Sequence, residues 1–237
     1  GFKTGSYFIK EIVRKKYALP SNPDFGIKAA DLPDTIISRC SVDESFLADV
    51  IVKKFCDHLP LYRQAEIRTR DEVYVSRQTL SSYVTKIAEV LKPLYLCHIE
   101  SVKSSGNVFV DETPIAVLAP GKGKTNQAYM MCLVGGKSLD PPLKAYYFTS
   151  SRSHDNIMAP LKDYKGVFHS DKYQAYEKLG KDPDRTWIPC LAHVRRKFEE
   201  SESGDPQFRK DVLLDIQALY AIEREVKALS PEERERE

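Results

Sequence analysis

The sequence predicts a mixed α/β fold: one sheet flanked by helices, preceded by a small helical region. Three observations carry that prediction. In the second half, short β-branched and aromatic runs are bounded by turn signals, the pattern of buried strands. In the first half, apolar residues recur every three or four positions, the period of an amphipathic helix. The switch between the two patterns falls near Asn107, so it divides the chain rather than mixing within it.

Residues 1–40 form an irregular N-terminal segment, because Pro20, Pro23, Gly26 and Pro33 interrupt any long element. Within it, Tyr7 to Val13 is the one strand candidate. A helical region follows over 41–100. Ser41 or Asp43 caps a first helix with Phe46, Leu47, Val50, Ile51 and Phe55 at helical spacing. Pro60 starts a second through Leu61, Tyr62, Ala65 and Ile67. Ser76 caps a third with Leu80, Tyr83, Val84, Ile87, Val90 and Leu91 on one face. This arrangement is helix-turn-helix-like. Arg77, Gln78, Thr79 and Ser82 are residue types that read base edges or phosphates. A plain helical packing unit is the alternative.

Residues 101–237 carry the strands, expected at 107–112, 127–134, 143–149, 166–170 and near 186–190. Turns fall at Gly121-Lys122-Gly123-Lys124, Gly135-Gly136 and Asp140-Pro141-Pro142. The first three strands are close enough in sequence for an antiparallel meander. A helix at about 154–164 precedes the fourth. The ribonuclease H-like fold is built in this order.

Composition narrows the function classes. No apolar run is long enough to cross a bilayer, so no membrane partner is expected. The chain opens at Gly1 without a signal peptide and closes in a charged run, which reads as a piece of a longer protein truncated at its C-terminus. Five scattered cysteines, Cys40, Cys56, Cys97, Cys132 and Cys190, fit free thiols in a reducing compartment rather than a disulfide framework. The net charge is only +2, which by itself does not mark a nucleic-acid binder. Its distribution is more informative. Lys122, Lys124, Arg152, Arg195 and Arg196 lie in the middle of the chain, and acids dominate the end.

The chemistry centres on two aspartates. Asp111 ends the apolar run Asn107 to Val110, and Asp171 ends the run Gly166 to Ser170. A carboxylate at a strand tip is costly to hold there unless something pairs with it. Two of them on neighbouring strands are placed to share divalent ions; turn or helix capping is the plainer reading.

Several motifs occur in one order. They are His58-Leu59-Pro60-Leu61-Tyr62-Arg63-Gln64, Ser76-Arg77-Gln78-Thr79-Leu80, Asp111-Glu112-Thr113, Pro120 to Thr125, Ser151-Arg152-Ser153, Asp171 to Tyr176, and Cys190-Leu191-Ala192-His193 running on to Phe198. The ordered set strongly resembles the bacterial insertion-sequence transposases of the family numbered sixty-six, from about residue 45 to the end. The resemblance implies a DDE transposase with a ribonuclease H-like core, cutting transposon ends and joining them to target DNA. It implies two Mg²⁺ or Mn²⁺ ions, about 3.5–4 Å apart in such sites. It also implies a homo-oligomer on DNA and a place in the bacterial cytoplasm beside the nucleoid. Asp111 corresponds to the first acid and Asp171 to the second.

The third acid is expected at Glu223, which fills a gap in the stripe Val212, Ile216, Leu219, Val226. Glu199 and Glu200 are the rivals. Lys122, Lys124, Arg152, Arg195 and Arg196, with Arg77 and Gln78, are the expected DNA contacts, Arg forks suiting phosphate oxygens. Cys190 and His193 have ligand character, but two ligands do not make a structural zinc site, so they are expected to fix the end of the fifth strand. Two other functions remain open: a DNA-binding fragment that does not cut, and a different ribonuclease H-like nuclease.

Overall fold

A computed structural model describes residues 5–18, 20, 21, 26–38, 40–135, 142–234 and 236. The chain forms two compact units, Gly1–Tyr95 and Leu96–Glu237.

In the first unit, β1 (Lys16–Ala18) pairs antiparallel with β2 (Ile27–Ala29). The expected strand at Tyr7 to Val13 is not formed; those residues are irregular and largely exposed. Three helices follow: α1 (Glu44–Phe55), α2 (Leu61–Arg70) and α3 (Arg77–Lys103), of which α3 belongs to this unit as far as Tyr95. Asp43, not Ser41, caps α1, its Oδ1 accepting from the Ser45 N–H at 3.0 Å. Ser76 caps α3 by accepting from the Thr79 N–H at 3.1 Å. Ile37, Leu47, Val50, Leu80, Tyr83 and Ile87 form the core. Buried Gln64 donates to the Val50 and Leu59 carbonyls, and buried Arg68 donates through its terminal nitrogens to Gln64 Oε1 and Asp49 Oδ2, while its Nε has no partner among the described residues.

The second unit is a mixed α/β structure built on a five-stranded sheet. The strands are β3 (Asn107–Ala119), β4 (Lys124–Gly135), β5 (Leu143–Thr149), β6 (Gly166–Ser170) and β7 (Arg185–Pro189). Their order is β5-β4-β3-β6-β7, with β3–β4–β5 antiparallel and β6 and β7 parallel to β3. The expected meander and the strand-helix-strand-helix order are both present, as a ribonuclease H-like core requires. The helices are α4 (His154–Met158), α5 (Gln174–Leu179), α6 (Leu191–Glu199), α7 (Pro206–Val226) and α8 (Pro231–Arg234). The helix expected to 164 stops at Met158 and tightens into a 3-10 turn at Ala159–Leu161, because Pro160 cannot donate to the preceding turn. The turn expected at Gly135-Gly136 and Asp140-Pro141 lies largely outside the described residues.

One sheet face carries Val108, Val110, Met131, Leu133, Ala145 and Phe168, all buried, with Tyr176 of α5 packed on Phe168. Gly166, where β6 starts, has φ +132°, and a Cβ there would lie 2.7 Å from the Gly106 carbonyl oxygen. Only glycine permits that approach, and it occurs where β3 and β6 begin their parallel register.

Candidate active site

The parallel pairing of β3 with β6 brings the two aspartates together. Its partners are Asn107 with Val167, Val108 with Phe168 and Phe109 with His169. Continued two residues further, the same register sets Asp111 level with Asp171. Alternation puts Asp111 on the face where Phe109 and His169 stack, ring centroids 4.4 Å apart, whereas Asp171, one residue past the end of β6, turns its carboxylate to the Arg152 nitrogen that also holds Glu112. Asp111 is not a strand tip, as the sequence suggested: β3 continues to Ala119 along β4, and only its pairing with β6 ends earlier. Asp111 therefore sits on the open edge beyond the end of β6.

The two carboxylates have different surroundings. The Asp111 side chain is 62% exposed, and Nε2 of His193 lies 3.7 Å from its Oδ1. The His193 Nδ1 is buried and has no hydrogen-bond partner among the described residues. Asp171 is 27% exposed; its Oδ1 accepts from the Tyr173 N–H at 3.0 Å and its Oδ2 from Arg152 at 3.1 Å. Across β3, burial raises the Cys132 thiol pKa; Lys144 offsets part of that and Asp111 adds to it.

Glu112, the next residue, points to the opposite face and its side chain is 2% exposed. One of its oxygens accepts from Tyr176 Oη at 2.5 Å and the other from Arg152 at 3.0 Å. Burial works against the Arg152 charge, but Glu112 and Asp171 outweigh it and raise its pKa above the ordinary value. Burial first, then the charge of Glu112, pushes the Tyr176 hydroxyl upward, which keeps it a neutral donor. The sequence reading passed over Glu112, Tyr176 and Tyr173. Alternation was the available signal for Glu112: Val108, Val110 and Glu112 share one strand face, and a carboxylate on a buried face needs partners.

The remaining expected residues are spread out. Cys190 precedes α6, and its backbone N–H donates to the Ser170 carbonyl at 2.7 Å, tying the end of β7 to the end of β6. His193, one turn into α6, faces Asp111. Arg195 pairs with Glu199 on the exposed side of α6, and Glu200 ends that helix. Arg196, Lys122 and Lys124 are exposed, the lysines at the β3–β4 hairpin. Arg77, Gln78 and Ser81 of α3 line a shallow groove of about 440 Å³ with Lys54 and Tyr62, inside the first unit. Arg152 lies inward, on two carboxylates. Glu223 is 63% exposed and lies 3.4 Å from Arg234 of α8. The stripe that pointed to it is buried only at Ile216, with Leu219 53% exposed. Among the described residues, no three His, Cys, Asp or Glu side chains gather as a metal-holding group. No helix among them is long and apolar enough to cross a membrane.

The donors nevertheless suit one class of ion. Asp111, 62% exposed, and Asp171, 27% exposed, offer carboxylate oxygens, the hard donors that Mg²⁺ and Mn²⁺ take.

Three proteins of Sinorhizobium fredii are similar over most of the chain. Uncharacterized protein y4qI is 35% identical over 228 residues, covering 90% of this chain and 42% of its own length. Uncharacterized protein y4jD is 31% identical over 243 residues, covering 96% and 46%. Uncharacterized protein y4hP is 26% identical over 245 residues, covering 94% and 44%. The chain thus spans less than half the length of these curated relatives. The profile of the Transposase IS66 family matches residues 39–237, a span that includes Asp111, Arg152, Asp171 and His193, and the chain belongs to that family.

Proposed function

We propose that this chain carries the catalytic core of a DNA transposase that cuts at transposon ends and transfers the freed strand into target DNA. The observation that supports this most is the β3–β6 register, which, carried two residues further, sets Asp111 level with Asp171 at the end of β6. Asp111 and Asp171 would hold a divalent cation. When bound, it would supply the Lewis-acid help that phosphodiester attack and departure need.

The chain's own residues do the positioning. The Tyr173 N–H holds one oxygen of Asp171, and Arg152 lies on the other. His193 stands beside Asp111, which is otherwise open to solvent. Glu223 is proposed as the third acid on the family resemblance. It would have to leave Arg234, an exposed pair worth under about 1 kcal/mol. The hairpin lysines Lys122 and Lys124, with Arg77, Gln78, Arg195 and Arg196, are proposed to hold the DNA backbone.

The test is Mn²⁺-dependent nicking of duplex DNA carrying the transposon ends. Asp111→Asn and Asp171→Asn should each reduce it by roughly a hundredfold or more, the scale of losing a group that stabilises the transition state. Retained activity in either variant rejects the assignment. Glu223→Gln beside Glu199→Gln identifies the third acid. A second reading, DNA binding without cleavage, is favoured by the pairing of Glu223 with Arg234 and by the lack of a three-carboxylate group among the described residues. It predicts no Mn²⁺ bound at Asp111 and Asp171.

A further inference from the structure

Arg152 places one nitrogen, Nη2, against two acids at once: 3.0 Å from Glu112 Oε2 and 3.1 Å from Asp171 Oδ2. The two acids differ in what they lose without it. Glu112 is 2% exposed, and among the described residues its only other side-chain hydrogen-bond partner is the neutral Tyr176 hydroxyl. Taking the guanidinium away would leave a buried charge nearly uncompensated. Asp171 is 27% exposed, so solvent or another cation can replace the guanidinium there. The Arg152 side chain is also fastened in place. Its guanidinium carbon lies 4.1 Å from the centre of the Tyr173 ring and 5.7 Å from that of Tyr129, and Tyr173 Oη donates to the Arg152 carbonyl at 3.0 Å. The contact with Asp171 is therefore the one that yields.

We propose that Arg152 gates divalent-cation binding at Asp171. Its guanidinium occupies the carboxylate oxygen that a cation would take, and the cation must displace it. Glu112 keeps the displaced guanidinium beside the site, where it is placed to meet a phosphate oxygen of the substrate. This rests on the reading of Asp171 as a cation-holding residue. It has a distinctive consequence: a residue that merely oriented Asp171 would strengthen cation binding, whereas a gate opposes it.

The experiment measures Mn²⁺ binding to the chain by electron paramagnetic resonance of the free ion, with circular dichroism as the check on folding. Arg152→Gln alone strands Glu112, so the paired variant Glu112→Gln with Arg152→Gln carries the test. It removes one charge of each sign and leaves the net charge of the site unchanged. The gate predicts Mn²⁺ binding roughly tenfold tighter in the paired variant, the scale of one charge-assisted hydrogen bond no longer given up. Binding that is unchanged or weaker, with Asp171→Asn weakened, overturns the gate and leaves Arg152 as a support for Asp171. Binding unchanged in Asp171→Asn itself rejects the cation reading of Asp171, and the gate falls with it.

Discussion

At the scale of single residues, the most constrained group is Glu112. Its two oxygens are taken by the Tyr176 hydroxyl and Arg152, and little solvent reaches it. Tyr176→Phe deletes one of those partners without changing the packing of the ring on Phe168. It should cost about 1–3 kcal/mol, the penalty for leaving a buried acceptor short of a donor. Urea denaturation should show this as a lower midpoint with an unchanged slope. Tyr173→Phe removes a bond from a less buried residue to a backbone carbonyl and should cost less. A larger loss at Tyr173 than at Tyr176 would mean that Glu112 is not the anchor. Asp111 and Asp171 were legible in the sequence because each follows an apolar run. Glu112 was not, because the strand was taken to finish there; its facing toward the core becomes visible only once the alternation from Val108 is carried through. The role of His193 depends on α6 turning it toward Asp111, a non-local contact that no spacing within Cys190 to His193 encodes.

At the scale of elements, the site depends on how β3 and β6 begin. Gly166 combines φ +132° with a close approach to the Gly106 carbonyl. An alanine there would meet both the conformational penalty and a backbone clash. Gly166→Ala should therefore destabilise the chain by about 1–3 kcal/mol and weaken Mn²⁺ binding by shifting Asp171 relative to Asp111. Gly121→Ala is the control: its φ is +78°, but a Cβ there would meet nothing within 4 Å. Thermal melts of both should show the larger drop at Gly166; equal drops would remove the backbone contact from the argument. The limits of β5 and β6 were legible because Pro142 and Gly166 punctuate them. β3 runs past the expected end at 112 to Ala119, although Pro114 offers no N–H to a ladder. Beyond Phe109, however, β3 no longer pairs with β6, and an edge tolerates the missing N–H. α3 runs through Pro93 to Lys103, beyond the face expected to Leu91; one lost intrahelical bond did not end it.

At the scale of the whole molecule, the pairing of β3 with β6 that completes the sheet is non-local, and only the antiparallel meander was readable from element order. The nucleic-acid surface was not, since a net charge of +2 averages over acids and bases with different employment. The structure sorts the basic candidates by what already holds them. Arg152 is committed to Glu112 and Asp171, and Arg195 lies against Glu199. Lys122 and Lys124 are exposed, and no ion pair holds either one among the described residues. If these lysines neutralise DNA phosphates, Lys122→Ala and Lys124→Ala should each flatten the dependence of log K on log salt by about 0.9 for duplex DNA. Arg195→Ala should act similarly, because an exposed pair with Glu199 gives way at little cost. The paired variant Glu112→Gln with Arg152→Gln should leave that slope unchanged in metal-free buffer, because the Arg152 guanidinium it removes is occupied there by acids rather than phosphate. Fluorescence anisotropy of a labelled duplex across a salt series measures all four. Slopes unchanged in both lysine variants would move the DNA contact away from the β3–β4 hairpin. A reduced slope in the paired variant would mean that DNA alone, without a cation, draws Arg152 off Asp171.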